Sequence, residues 1–433
     1  MKYFGTDGIR GIPNQTLTNE TVYKVGRALR ALNKCNVFVA TDTRLSKDML
    51  LCSLASGCMS AGLNVHILGV LPTPALMYYS SLKDGIGVMI TASHNPYFDN
   101  GIKVIVDGRK LNEDEEEKIE KYMEIPVENS DNIGVLFYEN NAKKEYQDFL
   151  LSKAKRTRLN VCLDCANGAT SIVAEEVFSY LNPKTKIYAA LPNGININDS
   201  VGSTNVDYLA QRVVENNYDI GFAFDGDGDR VICVDSKGNV IDGDKLIYLT
   251  ALYLRRKNEL NNNTVALSLM SDLGLIKELN KNGIFVIECP VGDKYIYKEM
   301  VNNNLSIGGE SSGHIIVTKE SNTGDGLLVA IIVLNILEET GISIDEVFNT
   351  VDFYNQKLLN LRVKNKEFIL NSKKLFNEVE KYKAYLNNDC KIIVRASGTE
   401  DLLRILVMAK NKQDVNDITL SISNTIKEID NYE

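Results

Sequence analysis

Short apolar runs alternate with stretches whose apolar positions recur at helical spacing, and the pairing comes round three times along the chain. Asn36–Thr41 (NVFVAT) predicts a strand. Residues 46–62 predict a helix with apolar rows Leu50, Leu54, Cys58 and Leu51, Ala55, Met59, and Asn64–Val70 (NVHILGV) predicts a second strand. The order returns with VCLD at 161–164, a helix through Phe178 and KIYAAL at 186–191. It returns again with TVALSL at 264–269, a helix at 273–280 and IFVIE at 284–288. Strand, helix and strand at this spacing mark a βαβ unit in a largely parallel sheet, so three units predict three α/β domains of similar topology. The last stretch differs: strand 358–363, helix 372–385, strands 391–394 and 403–409, helix 414–429. That order predicts a smaller C-terminal α+β domain. The expected divisions are 1–150, 151–250, 251–360 and 361–433. The acidic run 113–117 follows Asn112 and is expected to be a capped, solvated helix start, since negative charge suits a first turn.

Length agrees with several domains, because 433 residues exceed the ~250–300 at which single cores stop growing. The chain is 44% hydrophobic and 24% charged, as in ordinary globular proteins. No run approaches the ~18 apolar residues of a membrane span, and the start MKYFGTDGIRG lacks the apolar core of a signal peptide. A cytoplasmic protein with no membrane partner is therefore expected. The eight cysteines then read as reduced thiols, and Cys162-x-x-Cys165 lacks the two further ligands a zinc site needs. A net charge of −9 without a Lys/Arg stripe argues against nucleic acid. Small anions remain possible ligands, held by isolated cations in glycine-rich loops.

Four segments concentrate chemistry. Asp225-Gly226-Asp227-Gly228-Asp229-Arg230 joins two apolar strands and puts alternate carboxylates on one tight loop. An EF-hand would need glycine at its sixth position and glutamate at its twelfth, where Arg230 and Ser236 stand. Clustering three like charges costs energy without a cation, which favours a metal over a solvated turn. So few protein oxygens leave room for a phosphate ligand and suit Mg²⁺. Thr91-Ala92-Ser93-His94-Asn95-Pro96 follows the strand Ile86–Ile90 and can turn the Ser93 hydroxyl into a cleft. It lacks the glycines of a nucleophile elbow. With only three histidines, His66 on a half-buried strand among them, a Ser-His-Asp hydrolase has little support. Gly309-Glu310-Ser311-Ser312-Gly313-His314 offers a carboxylate, hydroxyls and an imidazole that suit sugar hydroxyls or a capped turn equally. Arg395-Ala396-Ser397-Gly398-Thr399-Glu400, with Arg404, reads as an anion nest or as an ordinary polar turn.

In this order and at these separations the four segments resemble the α-D-phosphohexomutase superfamily over essentially the whole chain. Within it, Tyr3–Gly11 (YFGTDGIRG) and 99–103 (DNGIK) are most similar to bacterial phosphoglucosamine mutases. The resemblance implies three α/β domains and a smaller C-terminal domain around a central cleft. It implies Ser93 as phosphoryl carrier, and Mg²⁺ held by Asp225, Asp227, Asp229 and the Ser93 phosphate. Arg230, Glu310 and Ser312 would bind the sugar, and Arg395, Ser397, Gly398, Thr399 and Arg404 its distal phosphate. Lys103, His314 and Arg10 would lie near the reacting oxygens, with the general base open among them. The implied reaction interconverts glucosamine 6-phosphate and glucosamine 1-phosphate through glucosamine 1,6-bisphosphate, for which a small hexosamine phosphate is the partner and a homodimer is compatible. A phosphomannomutase/phosphoglucomutase of the same superfamily, or a non-catalytic sugar-phosphate binder, are the other readings. Two departures stand out. Phosphoglucosamine mutases usually carry Gln at Ser311, and prolines at Ala396 and Asp401.

Overall fold

The computed structural model describes residues 2–5, 7–125, 132–396 and 402–431. It divides into two compact units, Met1–Leu269 with Ile287–Asn349, and Met270–Val286 with Thr350–Glu433.

The larger unit is built on mixed sheets. In the first, Asn36–Thr41 runs parallel to both Asn64–Val70 and Ile86–Ile90, as the βαβ pattern requires. The helix between the first two strands forms as Lys47–Ser60 and buries Leu50, Leu54, Ala55 and Cys58 against Val37, Val39 and Val88. At one side the direction reverses, because Asn100–Val106 pairs antiparallel with Ile86–Ile90. The connection 91–99 is too short for the dozen or more residues of a parallel crossover, so the chain must turn back on itself. The same device closes the second sheet, where Val161–Asp164 lies parallel to Ile220–Phe224 and Val231–Asp235 returns antiparallel. It closes the third as well: Ile307–Gly309 is parallel to Thr264–Ser268 and antiparallel to Ile315–Val317. Each predicted chemical segment of this unit is thus the loop of an antiparallel strand pair.

The smaller unit holds the antiparallel sheet Asn355–Arg362, Leu402–Ala409, Cys390–Ala396. Ile405 and Val407 of its central strand bury against Ile418, Ile422 and Ile426 of the helix Lys412–Asn431. The expected order of strands and helices there is observed, with one further short helix, Lys366–Leu370, inserted after the first strand.

Asn112 caps Glu113–Glu124 in a reciprocal pair with Glu115, at 2.9 Å in each direction. Cys162 and Cys165 are buried and free, and burial pushes both thiols up to about 12, so they are inert packing groups. Among the described residues no helix is long and apolar enough to cross a membrane.

Asp325 caps the apolar helix Gly326–Thr340, and both its oxygens accept the Tyr146 hydroxyl at 2.9 Å. Burial pushes its carboxyl up to about 6. A raised value means that folding favours the protonated form. Its stabilisation is therefore complete below the unfolded-state value near 4 and lost as pH rises through about 6. Asp325→Asn should gain on the parent by about 3 kcal/mol between pH 4 and 6, or several degrees in Tm, and no more above that. Paired melting curves across the window test this. A difference independent of pH would contradict it.

Candidate active site

Ser93 sits in the first of these loops with a left-handed backbone, φ 51°. That conformation costs a residue with a Cβ on the order of 1–3 kcal/mol and persists only where its surroundings impose it. The Ser93 amide donates to Thr91 Oγ1 at 2.9 Å, and its hydroxyl donates to Asp225 Oδ2 at 2.6 Å. His94 Nδ1 lies 3.4 Å from the same hydroxyl, but burial and the nearby Arg230 and Arg10 push His94 down to about 4. A neutral, weakly basic imidazole does not make a serine hydrolase.

Asp225, Asp227 and Asp229 are all buried, with ligand oxygens within 4.8 Å of one another. The turn is possible because Gly228 takes φ 73°. Thr73 fixes the loop from the side, its amide donating to the Asp227 carbonyl at 2.8 Å and its hydroxyl to Asp227 Oδ2 at 2.6 Å. Lys103, placed opposite Met89 by the strand register, donates to Asp227 Oδ2 at 2.8 Å and Asp229 Oδ2 at 3.2 Å, and lies 3.1 Å from Asp7 Oδ2.

The charges respond to one another. Burial, then Asp229 and Asp227, push the Asp225 carboxyl well above its ordinary range. Burial also works against ionised Asp229, but Lys103, His314 and Arg230 outweigh it and hold that carboxyl well below. Burial opposes the Lys103 ammonium too, yet Asp227, Asp229 and Asp7 keep it protonated. Neighbouring cations would have been needed to make Lys103 a ready base, and its neighbours are mainly carboxylates. Two oxygens, Asp227 Oδ1 and Asp229 Oδ1, are buried with no hydrogen-bond partner. Stranded carboxylate oxygens facing a third carboxylate fit a hard divalent cation, which would satisfy them and relieve the repulsion.

Around this centre Arg10 donates to Asp7 Oδ2 at 2.6 Å, and Lys110 joins Asp7 to Asp293. His314 lies 3.3 Å from Asp293 Oδ2 and 3.7 Å from Asp229 Oδ2. Burial disfavours its charged form, but those two carboxylates outweigh burial and raise it. Arg230 donates its amide to Asp225 Oδ1 at 3.1 Å. Glu310 accepts the Gly292 amide at 3.0 Å, and Ser312 in the same loop is half-buried. The loop backbone passes so close to Gly243 that a Cβ there would meet the Glu310 carbonyl at 2.1 Å. Ser311 is anchored through its carbonyl, which accepts the Gly243 amide at 3.0 Å. The departure from Gln at this position therefore leaves the loop's anchor intact.

In the smaller unit, Arg395 and Arg404 are direct cross-strand partners. Like charges placed opposite each other on a sheet are unfavourable alone and suit an anion. Ser397, Gly398 and Thr399 lie outside the described residues. Sequence reasoning missed Asp7, Asp42, Arg44, Thr73, Lys110, Asn198 and Asp293. Apart from Asp7, which lies within the Tyr3–Gly11 segment, each is a single polar residue outside the segments singled out above, and only the fold brings it to the centre.

Models of the four phosphoglucomutase/phosphomannomutase domains match residues 1–129, 138–238, 242–354 and 358–424 as alpha/beta/alpha domains I, II, III and the C-terminal domain. The chain belongs to the phosphoglucomutase/phosphomannomutase family, a family of phosphohexomutases. It is 40% identical to the phosphoglucosamine mutase of Bacillus pumilus, over 99% of this chain and 98% of that one. It is 41% identical to that of Bacillus subtilis, over 95% of each. The fold is also that of a phosphoglucomutase/phosphomannomutase family protein from Burkholderia thailandensis (TM-score 0.80, 22% identity, 98% and 96% covered). Aspergillus fumigatus N-acetylphosphoglucosamine mutase, solved with GlcNAc-6P and magnesium, shares it as well (TM-score 0.73, 18% identity, 99% and 96% covered).

Proposed function

We propose that this chain is a cytoplasmic phosphoglucosamine mutase, interconverting glucosamine 6-phosphate and glucosamine 1-phosphate through a phosphoserine at Ser93. The observation that carries it is the Ser93 hydroxyl hydrogen-bonded at 2.6 Å to the first carboxylate of a buried aspartate triad. Phosphoryl transfer needs positioning and charge stabilisation above all, and these groups supply both.

Asp225, Asp227 and Asp229 would hold Mg²⁺ together with an oxygen of the Ser93 phosphate. The ion supplies neutralisation of charge on the transferring group. In the first half-reaction O1 of the 6-phosphosugar attacks the phosphorus on Ser93. The Oγ–P bond breaks as the O1–P bond forms, giving glucosamine 1,6-bisphosphate. The proton released from the O1 hydroxyl is balanced by the one that Ser93 Oγ takes up, which restores the hydroxyl that hydrogen-bonds Asp225 here. After the bisphosphate reorients, Ser93 takes the phosphoryl from O6, and glucosamine 1-phosphate remains. Lys103 Nζ, held protonated here by Asp227, Asp229 and Asp7, would become a proton acceptor for the sugar hydroxyl once a divalent cation neutralised the first two of those carboxylates. Arg10, hydrogen-bonded to Asp7, adds positive charge beside the reacting oxygens. Glu310 and Ser312 bind sugar hydroxyls, Arg230 and His314 flank the transferring group, and Arg395 with Arg404 suits the other phosphate.

Glucosamine 6-phosphate should be turned over more than about tenfold better in kcat/KM than glucose 6-phosphate or mannose 6-phosphate. A carboxylate beside a protonated C2 amine is worth ~1.5–3 kcal/mol. The three sugars, assayed with one phosphorylated preparation and bisphosphate primer, decide it. Equal turnover of glucose 6-phosphate would reject the amino-sugar specificity and leave the mutase chemistry standing.

A further inference from the structure

Strain at Ser93 demands something that holds it, and the holders are two residues outside the four loops. Arg44 is fully buried and ion-paired to Asp42, its Nε donating to Asp42 Oδ2 at 2.8 Å. Asp42 also accepts the Thr91 hydroxyl at 2.7 Å, and that threonine in turn accepts the Ser93 amide. The remaining guanidinium donors all go to carbonyls of the serine loop. Nη2 reaches Ser93 O at 2.9 Å and Asn95 O at 2.7 Å, while Nη1 reaches Asp99 O at 2.9 Å and the Pro96 carbonyl. Asn198, from the segment before the metal-loop strands, donates through one amide nitrogen to the same two carbonyls, Ser93 O at 2.8 Å and Asn95 O at 3.0 Å. Asn198 itself holds a left-handed backbone, φ 57°.

We infer that Arg44 and Asn198 are positioning residues that together lock Ser93 in its left-handed conformation and so aim its phosphorylated side chain for transfer. The inference rests on Ser93 being the phosphoryl carrier. The physical reason lies in the carbonyls. A turn that points several peptide oxygens inward leaves buried acceptors needing donors, and a planar guanidinium provides five in fixed directions. Lysine has one point of charge and cannot serve four carbonyls and Asp42 at once. Asn198 adds a constraint that Arg44 cannot. It ties the serine loop to the part of the chain that leads into the aspartate triad, fixing donor and metal ligands in one frame. Neither side chain is assigned a place on substrate or metal.

The test uses full-length Asn198→Ala and Arg44→Lys, with the Arg44→Lys/Asn198→Ala double variant. The purified phosphoenzyme is mixed with glucosamine 6-phosphate in single turnover, so the rate constant is independent of the folded fraction. The expected result is a loss of about tenfold for Asn198→Ala and about a hundredfold for Arg44→Lys, with KM within a factor of about two. Mg²⁺ affinity of the unphosphorylated form should be unchanged, because all three aspartates remain. Asn198→Asp should fail to rescue, because a carboxylate cannot donate to carbonyls. If Arg44→Lys does not fold, Asn198→Ala decides alone. A single-turnover rate constant for Asn198→Ala equal to the parent's would overturn the inference, and so would a loss confined to KM. Failure of the underlying assignment looks different: the parent itself would then carry no phosphate on Ser93 by peptide mapping while remaining active.

Discussion

Ser93→Ala is expected to lower turnover by at least about 10⁴-fold, because it removes the atom that carries the phosphoryl group between two sugar oxygens in the proposed cycle. Adding 1,6-bisphosphate should not restore it, since the bisphosphate needs an acceptor on the enzyme. The fold should survive. Glycine is the natural residue for φ 51°, so Ser93→Gly serves as a second inactive variant free of the strain that alanine would keep. Both should retain Mg²⁺ binding through the aspartates and lose the phosphate from intact-protein mass. Turnover above about one part in a hundred in either folded variant would remove Ser93 from the mechanism.

Asp225→Asn should cost about 10²-fold or more in kcat while leaving the metal-free protein as stable as the parent, or more so. This position separates metal binding from folding better than its neighbours do. Asp227 and Asp229 both pair with Lys103, so neutralising either removes one of the carboxylates that balance a buried ammonium. Asp225 bonds instead to the Ser93 hydroxyl and the Arg230 amide, both of which an asparagine can still serve. Its ionised form is already opposed by burial and by the other two carboxylates. Mg²⁺ should raise the parent's Tm and raise the variant's much less, since only binding to the folded state shifts stability. An Asp225→Asn enzyme with the parent's kcat, or with an undiminished Mg²⁺-dependent rise in Tm, would exclude the triad as the metal site.

Much of the strand and helix pattern was legible because it is local. Asn36–Thr41, Asn64–Val70, Ile86–Ile90 and Val161–Asp164 form as their apolar runs predict, and Lys47–Ser60 buries one of its two predicted rows, Leu50, Leu54 and Cys58. The prediction of mainly parallel sheets held at the sheet centres and failed at the functional loops. Apolar periodicity reports which residues are buried and says nothing about strand direction. Loop length does, and the segments at 91–99, 225–230 and 310–314 are too short to cross over.

The sequence by itself determined the family and the candidate groups, because a tight carboxylate turn or a serine before Asn-Pro is written in consecutive residues. The tertiary structure decided what those groups experience. The strand register that sets Met89 opposite Lys103 brings an ammonium against the triad, and that contact with Asp227 and Asp229 is not written in the residues around Lys103. Asp7, Lys110 and Asp293 meet across long separations in the chain. Arg44 and Asn198, more than a hundred positions apart, close on the same two carbonyls. Electrostatic and hydrogen-bond energies depend on separation in space and on burial, and neither is a function of separation along the chain. Single residues that act only through such proximity carry no pattern, and packing alone makes them part of the site.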